Sequence, residues 1–294
     1  MFKRKTYQKV AVIVTNGKGQ NLELSEALIK KFDSAYKKWR TFAISPTALK
    51  GATQSLVIPS LNDPEDSNPL NEAKLQEVTN QLKDFNYEID AIFDLSSDMS
   101  ATAPTLQSPL DLKSEMIFDE YDRQKRERLT YAMLTSYIAS LHLSPNGYLM
   151  YTCNMGSCIS PDKLQPSLTP YKDQYTGNFL ELAANRVVLQ NSMNLASSRS
   201  FQAYLEQSLD YSNVKGGVIY QSATVNTLFL GLADTKYNRE KYSKVSPSQT
   251  FVPLEGMTTL MKMWAMGENR PENGAYVGFR FEGTKGRVVF PEYY

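Results

Sequence analysis

Few residues have types and spacing suited to chemistry, and the first group lies near the start of the chain. The run from Val10 to Val14 is continuous, apolar and rich in β-branched residues; Asn16, Gly17 and Gly19 break it, and then Leu24, Ala27, Leu28 and Phe32 recur at helical spacing. Strand, glycine-bearing turn and helix in that order suit a phosphate-binding βα unit, because helix N-terminal N–H groups can face an anion only where no side chain intervenes. A turn with two glycines also serves any tight βα connection, so Gly17 and Gly19 are weak candidates for cofactor binding. The sole histidine, His142, stands among apolar residues of a helical pattern, where packing or a surface role outweighs acid–base chemistry. One histidine with two cysteines, Cys153 and Cys158, makes no zinc or transition-metal set. Asp90, Asp94 and Asp98 recur every four residues, but the segment around the first two reads as strand, so they do not line up as a calcium loop. No Walker-type glycine and lysine pattern occurs.

The elements that must position these residues alternate along the whole chain. After the opening unit, residues 41–44 (TFAI) and 55–58 (SLVI) fit a second and a third strand. Residues 59–71 form a polar, proline-containing loop, and residues 73–82 place Leu75, Val78 and Leu82 on one helical face. Residues 89–95 (IDAIFDL) read as the fourth strand, followed by a serine-rich loop. The longest helical pattern spans 121–143, with Tyr131, Leu134, Ile138 and Leu141 as its apolar stripe behind a charged first half, 122–128, that suits a solvated face or a subunit contact. Residues 148–152 (YLMYT) give a fifth strand, and a long proline-containing loop at about 155–178 precedes a helix at about 179–196. Residues 217–221 (GVIYQ) read as the sixth strand, 254–266 as the last helix and 275–281 as the seventh strand. This order predicts an α/β fold: a Rossmann-like, doubly wound, parallel seven-stranded sheet with helices on both faces, in one domain over 1–294.

Composition sets the remaining bounds. With 294 residues, 41% hydrophobic and 21% charged, the chain can bury a substantial core, and its formal net charge of +1 implies no broad field for nucleic acid or a membrane surface. Its 18 tyrosines are scattered and give no stacking platform for nucleic acid. No apolar run approaches the roughly 20 residues of a membrane span. Two cysteines without CxxC spacing suit a reducing compartment. Lys3, Arg4, Lys5 and Lys9 make the start basic, as in an organelle-targeting peptide, but the first strand begins at about Val10 and leaves almost no room for a cleavable one.

The stretch 251–280, FVPLEGMTTLMKMWAMGENRPENGAYVGFR, resembles the dihydropteridine reductase branch of the short-chain dehydrogenase/reductase family. The resemblance is carried by Pro253, Leu254 and Glu255, then by Gly267, Asn269, Arg270, Pro271 and Gly274, and by the terminal Pro291, Glu292, Tyr293 and Tyr294. It implies a bound NAD(H) or NADP(H), a dimer built from two long helices, and a catalytic Tyr-x-x-x-Lys pair on a helix after the fifth strand. In such a pair the phenol delivers a proton while the cofactor gives a hydride, and the lysine lowers the phenol's pKa and binds the ribose.

This chain departs from that pattern at each position. The family's three turn glycines fall on Asn16, Gly19 and Leu22, and Leu22 puts a branched side chain where backbone should approach pyrophosphate. The carboxylate expected after the second strand falls at about Ser45, with Lys50 the nearest cation. The small-residue turn after the fourth strand corresponds to Ser96, Ser97 and Asp98, and an aspartate there would repel phosphate. Glu181 and Asn185 occupy the tyrosine and lysine positions, and neither can do the job. Tyr171 is followed four residues later by Tyr175, and a placement at 220–224 keeps Tyr220 but puts Thr224 at the lysine position.

Loss at several independent positions favours a catalytically inactive relative, retained as an accessory or structural subunit of a larger, mitochondrial or cytoplasmic, assembly, with no cofactor or residual NAD(P)H. Its partners would be other protein chains, or a second copy through helices 121–143 and 179–196, with no nucleic acid and no membrane span. Two alternatives stay open: an NAD(P)H-dependent reductase of the dihydropteridine reductase type using Tyr175 or Glu181 as an atypical acid, and a sensor that binds a dinucleotide without turning it over.

Overall fold

In the computed structural model the run VAVIVT forms β1 (Val10–Thr15), and every residue in it is buried. The structure describes residues 9–34, 39–63, 66, 70–84, 88–96, 130–154, 223–242, 251–273, 275–282 and 288–293. A strand apolar from Val10 to Val14 has no face for water, and β1 accordingly lies between two parallel neighbours with a hydrophobic layer on each side. Ala11 and Ile13 face one layer with Leu24, Leu28, Phe32 and Trp264. Val10, Val12 and Val14 face the other with Val78, Leu82, Leu134 and Ile138.

The elements follow in the order α1 (Gly19–Asp33), β2 (Arg40–Ser45), β3 (Gln54–Val57), a 3-10 turn (Pro59–Asn62), α2 (Glu72–Asp84), β4 (Ile89–Leu95), α3 (Thr130–His142) and β5 (Leu143–Asn154). They continue with β6 (Thr224–Leu230), α4 (Lys236–Tyr242), α5 (Leu254–Ala265), β7 (Tyr276–Glu282) and β8 (Val288–Tyr293). The sheet order is β3-β2-β1-β4-β5-β6-β7-β8. The first seven strands run parallel, and the helices flank the sheet on both faces, with α1 and α5 on one and α2 and α3 on the other. This is the Rossmann-like doubly wound sheet that the sequence predicts. The strand order reverses between β1 and β4, which fixes the crevice of such a sheet at their carboxyl ends.

Where the elements differ from the sequence reading, the causes are local. The sixth strand is TVNTLFL, beginning at Thr224, and residues 217–221 lie outside the described residues. Asn226 and Thr227 interrupt its apolar pattern yet are buried, and Asn226 Nδ2 donates to the carbonyls of Glu272 (2.7 Å) and Ala275 (3.4 Å). Thr224 thus opens a strand and cannot be the fourth position after a catalytic tyrosine on a helix. The long helix ends at His142, because Leu143 already belongs to β5, and 121–129 lie outside the described residues. The eighth strand, antiparallel to β7, was hidden by Pro291, which pairs with Phe279 at the sheet edge, where a missing N–H can be tolerated. No helix among the described residues is long and apolar enough to cross a membrane.

An aromatic chain ties β1's neighbours to the last helix. Phe32 stands 5.8 Å from Phe93, Phe93 5.9 Å from Tyr148, Tyr148 6.5 Å from Trp264, and Trp264 stacks on Phe279 at 5.7 Å. Arg270, from the turn that carries the family resemblance, closes this chain from below. Its Nε donates to the Trp264 carbonyl at 2.8 Å, Nη1 to the Asn146 carbonyl at 3.0 Å and to Thr224 Oγ1 at 3.3 Å, and the guanidinium lies 5.1 Å from the Tyr148 ring centroid. The turn reaches that geometry through left-handed Gly267 (φ 86°) and Asn269 (φ 47°). Its residues therefore hold the C-terminus of α5 to the starts of β5 and β6. Arg270→Lys keeps the charge but not the fork, and is expected to lower stability by about 1–3 kcal/mol, read as a fall in urea midpoint at unchanged m.

Candidate functional site

The crevice between β1 and β4 begins with Thr15, whose hydroxyl donates to the Leu95 carbonyl at 3.0 Å. Asn16 follows with its amide turned across the gap, Nδ2 donating to the Ser96 carbonyl at 3.0 Å. Its Oδ1 accepts from the Lys18 N–H at 3.1 Å and from Asn21 Nδ2 at 3.3 Å. One side chain thus joins the end of β1, the end of β4 and the first turn of α1. Lys18 holds the N-cap position of α1 and gives no side-chain cap, so Asn16 and the turn carry that end of the helix.

Both turn glycines are left-handed, Gly17 at φ 64° and Gly19 at φ 52°. That conformation favours glycine. Each also meets a side chain from elsewhere in the chain. A Cβ on Gly17 would lie 3.0 Å from Thr47 Oγ1, and one on Gly19 would lie 3.1 Å from Cε1 and 3.3 Å from Cζ of Tyr237. Ser45, buried at the end of β2, donates its hydroxyl to the Thr47 carbonyl and so holds the loop that covers Gly17. Leu22, expected to crowd the turn, packs half-buried against the hydrophobic cluster on the α1 face, and Tyr237 is the group that meets the middle glycine.

Beneath the turn, Asp94 is fully buried near the end of β4. Desolvation pushes its carboxyl up to about 6, against hydrogen bonding with Ser96 that favours the anion. The Ser96 N–H donates to Asp94 Oδ1 at 2.9 Å, and Thr152 Oγ1 donates to the Asp94 carbonyl at 2.8 Å. On the next strand the Tyr151 phenol pairs with Ser136 Oγ at 2.9 Å, and burial raises its pKa far above the usual phenol range. A phenol so held is a poor proton donor. Asp90 has a different task, its Oδ2 accepting from the Val10 N–H at 2.8 Å.

Of the residues marked in the sequence, the structure brings Asn16, Gly17, Gly19, Ser45 and Ser96 together at the crevice. Glu181, Asn185, Tyr171, Tyr175, Ser97, Asp98 and Cys158 lie outside the described residues. Lys50 is exposed beyond β2, its N–H 3.4 Å from Glu26 Oε1. His142 ends α3 half-buried, its pKa lowered by burial and by Lys83. No group of three or more His, Cys, Asp or Glu among the described residues could hold a metal ion.

Four further residues shape the site: Gln20, Glu23, Tyr237 and Asn238. Gln20 Oε1 accepts from the Ala233 N–H at 3.0 Å and from Asn238 Nδ2 at 2.6 Å; the Glu23 carboxylate accepts from the N–H groups of Lys236 and Tyr237, both at 2.9 Å. A short-range signal for α4 was present in Thr235, whose hydroxyl accepts from the Asn238 N–H at 3.1 Å as an N-cap does. A dinucleotide in such a fold sets its pyrophosphate against the middle glycine of this turn. With Tyr237 on Gly19, the residues present do not fit that group.

No protein-family model matches the sequence, and no curated protein matches it. Solved structures do match its fold. A short-chain dehydrogenase/reductase from Serratia marcescens is 13% identical, with a TM-score of 0.54 over 92% of this chain and 96% of that one. A short-chain dehydrogenase from Salmonella enterica serovar Typhi is 13% identical, with a TM-score of 0.53 over 95% and 98%. Another from Burkholderia cenocepacia, in complex with NADP, is 13% identical, with a TM-score of 0.50 over 92% and 95%. The chain therefore has the fold of short-chain dehydrogenase/reductases over nearly its whole length.

Asp94 makes stability depend on pH with a definite sign. A carboxyl whose folded pKa is raised from 3.8 to about 6 binds its proton more tightly in the native state, so stability falls as pH rises through that window and is lowest, on this account, above it. Asp94→Asn keeps an acceptor for Ser96 and removes the charge. The variant is expected to be more stable than the wild type at pH 7, by on the order of 1–3 kcal/mol, and equally stable below pH ~4. Chemical denaturation at a series of pH values checks this, and an unchanged slope would refute it.

Proposed function

We propose that this chain is a catalytically inactive protein of the short-chain dehydrogenase/reductase fold, related to the dihydropteridine reductase branch, that serves as an accessory or structural subunit of a larger assembly. The observation that carries this reading is the closed turn: Gly17 is covered by Thr47 and Gly19 by Tyr237, so both glycines of the cradle are packed against the chain's own side chains. Two further features support it. The end of β2 offers a serine already committed to Thr47 instead of a free carboxylate, and Asn16 spans to Ser96 across the crevice. Glu181 and Asn185, at the positions the resemblance gives to tyrosine and lysine, add the same message from sequence.

A single domain over 1–294 fits the sheet, which draws strands from Val10 to Tyr293. The contact surface is assigned to the helices at 121–143 and 179–196, used either with other chains or with a second copy. Its support is α3, where Met133 and Leu141 are 56% and 52% exposed although both are large and apolar. Mitochondria are the first compartment to examine and the cytoplasm the second. The rival reading, an atypical NAD(P)H-dependent reductase, draws on the two left-handed glycines that the turn retains.

The decisive assay follows NADH and NADPH absorbance with quinonoid dihydropterin as acceptor. No oxidation above the uncatalysed rate is expected, and turnover would refute inactivity. Glu181→Tyr with Asn185→Lys is expected to leave the protein inactive, since neither change reopens the turn. Native mass measurement of the protein purified from its own cells is expected to show it bound to other chains or to a second copy; an isolated monomer would remove the subunit role.

A further inference from the structure

The segment after β6 does more than connect it to α5. Its carbonyl and amide groups at Gly231 and Ala233 bond Gln20, and Asn238 reaches the same side chain, all of them buried beside the first turn of α1. Glu23, one turn further along α1, gathers the first two N–H groups of α4 on its carboxylate. Between these fastenings the Tyr237 ring lies on Gly19, and Lys241 holds its ammonium 5.5 Å from the ring centroid.

From this geometry we infer that residues 232–242 form a plug that the chain supplies to its own phosphate-binding turn, and that the plug and the pyrophosphate of NADH or NADPH exclude one another. The inference rests on the vacated-site reading above and says what fills the vacancy. A phosphate oxygen must come within roughly 2.7–3.2 Å of a backbone N–H to bond it. The face of Gly19 on which such an approach depends is met by ring carbons of Tyr237, which cannot accept a hydrogen bond in its place. Glu23, on the same helix, carries a carboxylate that bonds the N–H groups of Lys236 and Tyr237, and its negative charge opposes a dinucleotide at a helix N-terminus that would otherwise attract one. Gln20 and Glu23 both belong to α1, so the element that would bind the phosphate is the one that holds the plug.

The full-length protein tests this by titration with NADPH, followed by fluorescence of the bound nicotinamide and by calorimetry. Tyr237→Ala is expected to bind NADPH at least tenfold more tightly than the wild type, and Glu23→Ala to move in the same direction. Tyr237→Phe, which keeps the ring, is expected to match the wild type. Equal affinity of Tyr237→Ala and wild type overturns the plug. A second measurement needs no nucleotide: Gly19→Ala should lower the melting temperature by several degrees more in the wild type than in Tyr237→Ala, because the clash with the ring is then gone, and equal losses overturn the contact. Turnover by the wild type would defeat the proposed function, whereas equal affinities would defeat the plug alone.

Discussion

Burial of β1 on both faces is the constraint from which the remainder of the fold follows. A strand with Val10, Val12 and Val14 on one side and Ala11 and Ile13 on the other must be paired along both edges and covered twice. The chain meets this with β2 and β4 as parallel partners, α1 and α5 above and α2 and α3 below. Each large side chain fully buried in those layers contributes about 1.5–3 kcal/mol of transfer free energy, so the sheet has little tolerance for polar substitution at its centre. The right-handed crossovers that parallel pairing demands then bring the ends of β1 and β4 to the point where the order reverses.

At that point the polar groups at the ends of the strands must find partners, and here they find them within the chain. Thr15, Asn16 and Thr152 donate to the carbonyls of Leu95, Ser96 and Asp94, which sews three adjacent strands together by side-chain to main-chain bonds. The hydroxyls of Thr15 and Thr152 and the amide of Asn16 are thus committed, and a polar ligand bonding to them would replace bonds that exist. Asp94 stands apart: a fully buried carboxyl with a raised pKa, bonded at its side chain by Ser96 among the described residues. The described residues give it no catalytic partner.

Local pattern made part of this legible. The strand β1 could be read because Val10 to Val14 is unbroken and apolar, β2 and β4 because the short apolar runs around Phe42 and Phe93 outweigh Thr41, Asp90 and Asp94, and α1 because Leu24, Leu28 and Phe32 repeat on one face and are indeed fully buried. Residues 224–230, expected as the loop after a strand at 217–221, form β6, since Asn226 and Thr227 look like loop until the carbonyls of Glu272 and Ala275 are seen to satisfy Asn226; 217–221 lie outside the described residues. The eighth strand was lost to a proline that an edge position tolerates. At the site, Asn16, Leu22 and Ser45 could be marked as departures from a pattern, but the side chain that meets the middle glycine could not. Tyr237 reaches Gly19 from far along the chain, and no period or short motif encodes such a meeting.

The glycines are where sequence and structure pull apart most. Gly17 and Gly19 suit a nucleotide cradle, but the sequence makes them weak candidates, since any tight βα turn would also use them. Their backbone supplies another reason for glycine: both have φ near +60°, where a side chain is strained, and a Cβ on either would come as close as 3.0 Å to Thr47 Oγ1 or 3.1 Å to Tyr237 Cε1, tighter than van der Waals contact. A turn that admits a ligand and a turn that admits an aromatic ring of its own chain impose the same demand on the backbone. Retained glycine therefore reports that something approaches the backbone closely, and only the approaching group says whether the site is open. Here that group is covalently part of the protein and fastened to α1 by Gln20 and Glu23.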